Sequence, residues 1–568
     1  MHDVVIKGGT IVDGSGRPAF EGDVAVNGAT ITQIGSVGSG RREIDARGKL
    51  VLPGWVDVHT HYDAQVTWDP FVTPSSWHGV TTLVMGNCGV GFAPAKPDEH
   101  EWLLGLMEGV EDIPGAAMTE GMVWEWETFP EYMDAIEKKA RVLDIGTQVP
   151  HGALRGYVMG QRGAKNEAAT EDDIARMAAL VEEGIRAGAL GFSTSRTLIH
   201  KGIDGELVPG TFAAEDELFG IGRAMRRGGS GVFQMTSNHT DMPKEIPWMR
   251  RMARELGLPV SFNLVQSDAA PELWRDVLEE LEAAARAGEP LFAQVAGRPA
   301  GVLMSWAGTA HPFLVHPTYM GLHWMPIADR LAELRKPEVR QKIVNEDPLS
   351  VGEFEDFIVR SYDKMYRLGD DPEYEPDPSQ SAAAIAQREG KNPRDVVYDW
   401  LMEKDGWGIV YFPIFNYSHG NMDHLAELLE HPRTCLGLSD GGAHCGAICD
   451  ASIPTYLLTH WARDRSRGRK VALETVVHTQ TAKTAALYGL SDRGLLAPGL
   501  LADINVVDHE KLRLEAPRMA YDLPAEGRRL IQRARGYDLT LKNGKVTFEG
   551  GEPTGVLDGK LLRGRRSA

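Results

Sequence analysis

Cysteine is scarce: four residues, at positions 88, 435, 445 and 449, in a chain of 568. That is too few for a disulfide-built scaffold and suits a reducing compartment. Positive charge is in deficit, with 60 Lys and Arg against 80 Asp and Glu and a net charge of −20. Such a balance argues against a general nucleic-acid binder or a binder of anionic membranes. No uncharged apolar run reaches the roughly 20 residues of a membrane-spanning helix. The start, Met1-His2-Asp3-Val4-Val5-Ile6, lacks the basic-then-apolar order of a secretory signal, so a soluble, cytoplasmic protein is expected. What is present is an ordinary globular mixture, 42% hydrophobic and 25% charged, long enough for an enzyme of two or three units.

The first fifty residues read as short β-strands punctuated by Gly8-Gly9, Asp13-Gly14 and Asn27-Gly28. The same texture returns over 503–507, 539–541 and 545–548, around Asn543-Gly544. Two β-rich ends around a different middle predict one small β domain built from both, over 1–51 and 485–568. Between 52 and 484, apolar runs at 52–58, 81–85, 143–149, 189–194, 231–235, 260–265, 291–295 and 435–439 alternate with amphipathic helices. The clearest helices are 172–187, 214–227, 245–256 and 271–287, the third carrying Pro247 in its first turn, where proline is tolerated. Eight strands predict an α/β fold of the (β/α)8 barrel type, with active-site residues just after the strands. Two stretches exceed a minimal barrel: 86–140, and an insertion around 300–430 with an extra apolar strand at 409–412. Long loops over a barrel mouth shape a substrate pocket.

His59-Thr60-His61 closes the first barrel run. Alternation along a strand sends Asp57, His59 and His61 to one face, and two imidazoles so placed chelate a divalent metal such as zinc. With 18 histidines in the chain, about half a His-x-His is expected by chance, so the weight lies in its position at the end of the first strand. Asp440, in Ser439-Asp440-Gly441-Gly442-Ala443-His444 after the eighth strand, comes beside it when the barrel closes. There Asp440 serves as metal ligand and as general base for water, whereas the same residues also make good turn chemistry. Cys88, in Gly86-Asn87-Cys88-Gly89 after the second strand, reads either as a thiolate ligand or as a small buried hydrophobe. Cys445-x3-Cys449 beside His444 lacks a paired Cys-x2-Cys and reads as loop packing. His151 after strand three either contacts substrate or caps its strand. Arg196 after strand four suits a substrate carboxylate or an ordinary salt bridge. Gln234, Asn263, Gln266 and Gln294 give three successive strands an amide-rich end.

These residues resemble the amidohydrolase superfamily, through His59-x-His61 after Pro-Gly-Trp-Val-Asp, the β-rich ends, and Ala502-Asp503 near the close. Gly86-Asn87-Cys88-Gly89, His151-Gly152-Ala153-Leu154-Arg155, the run from Gly188 to Ser195 and Asp492-Arg493-Gly494 look like its N-acyl-D-amino-acid deacylase (D-aminoacylase) branch. The resemblance covers nearly the whole chain, least well over 300–400. It implies a distorted barrel with a small β-sandwich from both ends and zinc-dependent hydrolysis of an N-acyl amide. It also implies that Cys88 stands where relatives use a carboxylated lysine, and that Asp440 is the catalytic aspartate. One departure stands out. The family carries metal-binding histidines after strands five and six, where this chain has Gln234 and Asn263, and His239 comes a few residues late. Amides bind transition metals far less well than imidazole.

The expected function is therefore metal-dependent hydrolysis of a C–N amide bond, on an N-acylated (D-)amino acid or a related amide. The ligands are His59, His61, Cys88 and Asp440, the catalytic group is Asp440, and the cofactor is one or two divalent ions, zinc foremost. His151, Arg196, Gln234, Asn263 and His239 are the candidate substrate contacts. The alternatives are a hydrolase of cyclic amides, lactones or aryl amides, and a binding protein on a decayed scaffold. A small-molecule substrate is the expected partner, with no nucleic acid or membrane, and a homo-oligomer is compatible.

Overall fold

The structure, a computed structural model, describes residues 1–564. Eight parallel strands are hydrogen-bonded in chain order: Trp55–Asp57, Val80–Met85, Asp144–Pro150, Gly191–Ser195, Val232–Thr236, Val260–Asn263, Leu291–Val295 and Thr434–Leu436. The seam between last and first is made by the residues just beyond them. Thr60 bridges Gly441, the His61 N–H donates to the Gly441 carbonyl at 2.8 Å, and the Asp440 N–H donates to the His59 carbonyl at 3.2 Å. The ring is thus the expected distorted (β/α)8 barrel, joined at its mouth by the segments that carry the candidate ligands.

Nearly every residue of these strands is buried, the pattern of a parallel sheet covered on both faces. The outer helices follow from their caps and apolar stripes. In Glu171–Ala187, Thr170 accepts from the Asp173 N–H while the Asp173 carboxylate accepts from the Thr170 N–H, and Gly188 ends the helix in the left-handed region. Its Met177, Val181 and Ile185 face the core. The helix expected to start at 245 runs Met242–Leu256, so Pro247 lies inside it and not in its first turn. Buried Met242 and Ile246 extend the apolar stripe backward, and Pro247 sits on the exposed side, as does Pro243, whose carbonyl loses its helical donor.

The run expected as one strand over 52–58 divides between two sheets. Leu50–Pro53 pairs antiparallel with Ile504–Val507 in a nine-stranded sheet of both chain ends, and Trp55–Asp57 opens the barrel. Gly54 makes the transfer; a Cβ there would lie 2.2 Å from Thr81 Oγ1. The terminal sheet encloses its own core of Ile6, Val24, Val26, Val51, Ile504, Val506 and Leu541, the small β-sandwich expected. Asn27-Gly28 and Asn543-Gly544 are hairpin turns as read. Gly8-Gly9 is not a turn: His2–Ile11 continues through it with a register shift, because Gly8 takes a positive φ of 63° as a bulge.

The insertion between strands seven and eight forms a three-stranded antiparallel sheet, Gly301–Met304, Ile409–Pro413 and Tyr366–Leu368, around buried Trp306, Phe313, Tyr398 and Phe412. It sits against the barrel mouth. The Leu303 N–H donates to the Ala447 carbonyl at 2.7 Å, and the Gln266 N–H donates to Asn416 Oδ1 at 2.8 Å. No helix among the described residues is long and apolar enough to cross a membrane.

Candidate metal centre

The turn after the second strand curls through left-handed residues, Gly86 (φ 77°), Cys88 (φ 57°) and Gly89 (φ 73°). A Cβ at Gly86 would lie 2.6 Å from the Gln148 carbonyl oxygen, so the strand can bend there only without a side chain. Asn87 Nδ2 donates to the Thr60 and Val84 carbonyls, Asp63 accepts from the Gly86 N–H, and Gln234 Oε1 accepts from the Cys88 N–H at 3.2 Å. Asp440 is also left-handed, at φ 48°. A non-glycine residue in that region costs on the order of 1 kcal/mol or more, and such strain concentrates at functional sites.

The result is a tight cluster. His59 Nε2 lies 3.2 Å from Cys88 Sγ, and His61 Nε2 lies 3.8 Å from it. Asp440 Oδ1 is 3.5 Å from His59 Nε2 and 3.7 Å from His61 Nε2. The ligand atoms of His59, His61 and Cys88 all fall within 4.8 Å of one another, and all three side chains are buried. His59 Nδ1 donates to Gln294 Oε1 at 2.7 Å, which fixes its tautomer and leaves Nε2 to face Cys88 and Asp440. Asp57 accepts from the His59 N–H at 3.2 Å and from the Ser439 hydroxyl, tying the first strand's end to the eighth's.

The electrostatics are those of paired opposite charges. Burial works against the charged form of His59, yet the Cys88 thiolate and Asp440 outweigh it and lift the imidazole to about 9. His61 is raised well above its usual range, where Glu111, Asp440 and Cys88 overcome burial. Cys88 is lowered against its own burial by the two imidazoles, and Asp440 is lowered by His61, His59 and His444. Thiol and carboxyl are thereby held in the form that binds metal.

The other residues singled out from the sequence divide. His151 is fully buried with Nδ1 on Thr194 Oγ1 and Nε2 on Glu217 Oε1, each at 2.8 Å, so neither ring nitrogen is free to meet a substrate. Arg196 is engaged by Glu245 at 3.3 Å and by the Ala213 carbonyl at 2.8 Å, the ordinary salt bridge of its two readings. Gln234 holds the Cys88 backbone, and Asn263 Oδ1 accepts from the Ser237 N–H at 2.7 Å, so both amides shape the mouth. His239 lies in a short turn against the Phe415 ring, 4.6 Å between centroids, and is not among the clustered ligands. Burial lowers its imidazole to about 4. Cys445 and Cys449 are buried with thiols pushed up to about 12, in keeping with packing. Two further groups, His200 and Glu111, are not among the sequence candidates, and His444 figures there only beside the Cys445-x3-Cys449 loop. His200, in the loop after strand four, is lowered to about 3 by burial together with His444 and His61. Glu111 and His444 sit behind His61. The position of His200 after a barrel strand was a usable signal; Glu111, on an insertion helix, had none.

A model of the amidohydrolase family matches residues 42–548. D-aminoacylase of Alcaligenes xylosoxydans xylosoxydans is 26% identical over 99% of this chain and 97% of its own. Among solved structures, N-acyl-D-glutamate deacylase from Bordetella bronchiseptica, complexed with zinc and a phosphonate inhibitor, superposes with a TM-score of 0.66 at 22% identity, covering 99% of each chain. A D-aminoacylase described as having a binuclear metal centre, with one-metal activation and second-metal attenuation, gives 0.66 at 24% identity over 99% of this chain and 100% of its own. Fold, site motifs and comparisons agree that this chain belongs to the amidohydrolase family, in its D-aminoacylase-like branch.

Proposed function

We propose that the protein hydrolyses the amide bond of an N-acylated amino acid of the D series, with one divalent metal, zinc, held by His59, His61, Cys88 and Asp440. The observation that carries this is the spacing of those four groups. Tetrahedral zinc with Zn–N and Zn–O near 2.0–2.1 Å and Zn–S near 2.3 Å has ligand edges of about 3.3 Å, or about 3.6 Å to sulfur. The observed separations from the two imidazoles are 3.5 and 3.7 Å to Asp440 and 3.2 and 3.8 Å to Cys88, close to those edges, while His59, His61 and Cys88 form the mutually close group that Asp440 approaches from the imidazole side. A single ion follows from strands five and six, whose Gln234 and Asn263 are amides already bonded to backbone N–H groups. With a further position open to water beside the partly exposed Asp440, such an ion would supply Lewis acidity to the amide carbonyl and lower the pKa of water to about 7.

The chain's residues do the rest. Asp440 is the one member of the set with partial exposure, its side chain 21% accessible, so its carboxylate is within reach of both water and substrate. Held ionised, it takes the proton from the attacking water and passes it to the departing nitrogen. His59, fixed by Gln294, and His61 keep its carboxylate in place. The names of the relatives, D-aminoacylase and N-acyl-D-glutamate deacylase, supply the substrate class.

The test is metal analysis of the purified protein with turnover on a panel of N-acetyl-D-amino acids, their L enantiomers and simple lactones, run beside Asp440→Asn. One ion per chain and hydrolysis confined to the D-amides are expected. Asp440→Asn should keep much of its metal while turnover falls by about 10²–10⁴-fold, the usual worth of a positioned acid–base. Lactone-only turnover, or near-normal turnover in Asp440→Asn, overturns the reading.

A further inference from the structure

The helix His100–Glu111, from the segment after the second strand, ends directly behind His61. Its last residue, Glu111, is 0% exposed. Glu111 Oε1 lies 3.2 Å from His61 Nδ1, and Oε2 lies 3.6 Å from His444 Nε2. Neither carboxylate oxygen has a hydrogen-bond partner, and neither does His61 Nδ1, so the two approaches are ion-pair contacts between buried groups. No lysine or arginine forms an ion pair with it among the described residues. A buried carboxylate is retained only where something nearby makes use of its charge. The same helix end is sewn to the loop after the eighth strand. The His444 N–H donates to the Glu111 carbonyl, and the next residue, Asp112, accepts from the Gly446 N–H at 2.9 Å and from the Thr309 hydroxyl at 2.8 Å.

We infer that Glu111 is a positioning residue for the metal centre, an inference that rests on the reading of that centre given above. Its carboxylate faces the Nδ1 edge of His61 in ion-pair contact, which sets the ring's orientation and turns Nε2 toward Cys88 and Asp440. On its other oxygen it orients His444, four residues beyond Asp440 in the same loop. Each histidine ligand then has its own outer partner, an amide oxygen from strand seven for His59 and a carboxylate from the insertion helix for His61. A carboxylate makes the imidazole the more basic, hence stronger, ligand, and losing such a partner typically weakens metal binding by about 10–100-fold. Asp112 performs the sewing without touching either imidazole, so structural support and ligand positioning fall on adjacent residues and separate by mutation.

The experiment compares wild type, Glu111→Gln, Glu111→Asp and Asp112→Asn. Folding is checked by circular dichroism, zinc affinity by chelator competition, and ligand geometry by the visible spectrum of the cobalt(II)-loaded proteins. Glu111→Gln is expected to bind zinc about 10–100-fold more weakly with a shifted cobalt spectrum. Glu111→Asp should recover part of the loss, and Asp112→Asn should keep wild-type affinity and spectrum. Wild-type affinity and spectrum in Glu111→Gln, or equal losses in Glu111→Gln and Asp112→Asn, overturn the inference. If Glu111→Gln does not fold, the graded pair Glu111→Asp and Asp112→Asn decides on the same criterion. A wild-type protein that binds no zinc refutes the metal centre itself, and is thereby distinguished from failure of the Glu111 role alone.

Discussion

Loading the centre with metal must expel protons, and their number follows from the geometry. In the metal-free cluster His59 is lifted to about 9 and His61 is raised well above its usual range, while Cys88 and Asp440 are lowered. Near pH 7 both imidazoles therefore carry an extra proton, and as ligands each gives up that one, two in all. A thiolate–imidazolium pair and a thiol–imidazole pair contain the same single proton, so the number released is the same whichever of Cys88 and His59 carries it. Each proton released makes the apparent affinity rise about tenfold per pH unit, so two protons give about 100-fold per pH unit just above pH 7. The sign is fixed: falling pH protonates the imidazoles and ejects the metal, and rising pH favours loading until His59 has titrated near 9. Calorimetric titration of the metal-free protein with zinc, in buffers of different ionisation heat, counts the protons directly. A count near zero, or an affinity flat from pH 7 to 9, would show that these four residues are not the ligand set.

Two further outcomes test the placement of the parts. Cys88→Ala should lose metal on dialysis, and the wild-type zinc centre should show a Zn–S distance of about 2.3 Å by X-ray absorption; retention of metal and rate in the variant would make Cys88 packing. Gly54→Ala sets a methyl 2.2 Å from Thr81 Oγ1 and should destabilise the protein by about 1–3 kcal/mol in denaturant unfolding, so an unchanged midpoint would contradict the close approach at the sheet junction.

Much of this was legible because it depends on short-range periodicity. Barrel runs announce themselves by length and spacing, and the ends of strands one, two and eight put His59, His61, Cys88 and Asp440 in one place once the ring closes. The division at Gly54 was hidden because 52–58 is continuously apolar, and only Thr81, from another strand, demands a residue without a side chain. His151 and Arg196 were ambiguous for a related reason. The acids that claim them, Glu217 and Glu245, lie 66 and 49 residues further on, and no local pattern links them. Gln234 and Gln294 drew attention as polar residues in a barrel, but their bonds to Cys88 and His59 are tertiary facts. Glu111 left no trace at all, because its meaning comes from a helix in an insertion folding back beneath the site.

The antiparallel pairing of Leu50–Pro53 with Ile504–Val507 joins segments roughly 450 residues apart, and Gly54 passes that pairing straight into the strand that ends at His59. The first half of the ligand set is synthesised early, yet the strand that anchors it emerges only after the entire barrel has been made. Contacts of such sequence separation form slowly, because the intervening loop must close before the pairing repays it. A nascent chain halted before residue 504 holds His59 and His61 on a run with one sheet partner missing. All four candidate ligands are by then made, so what the last strand adds is not a donor but the support of the run that leads into them.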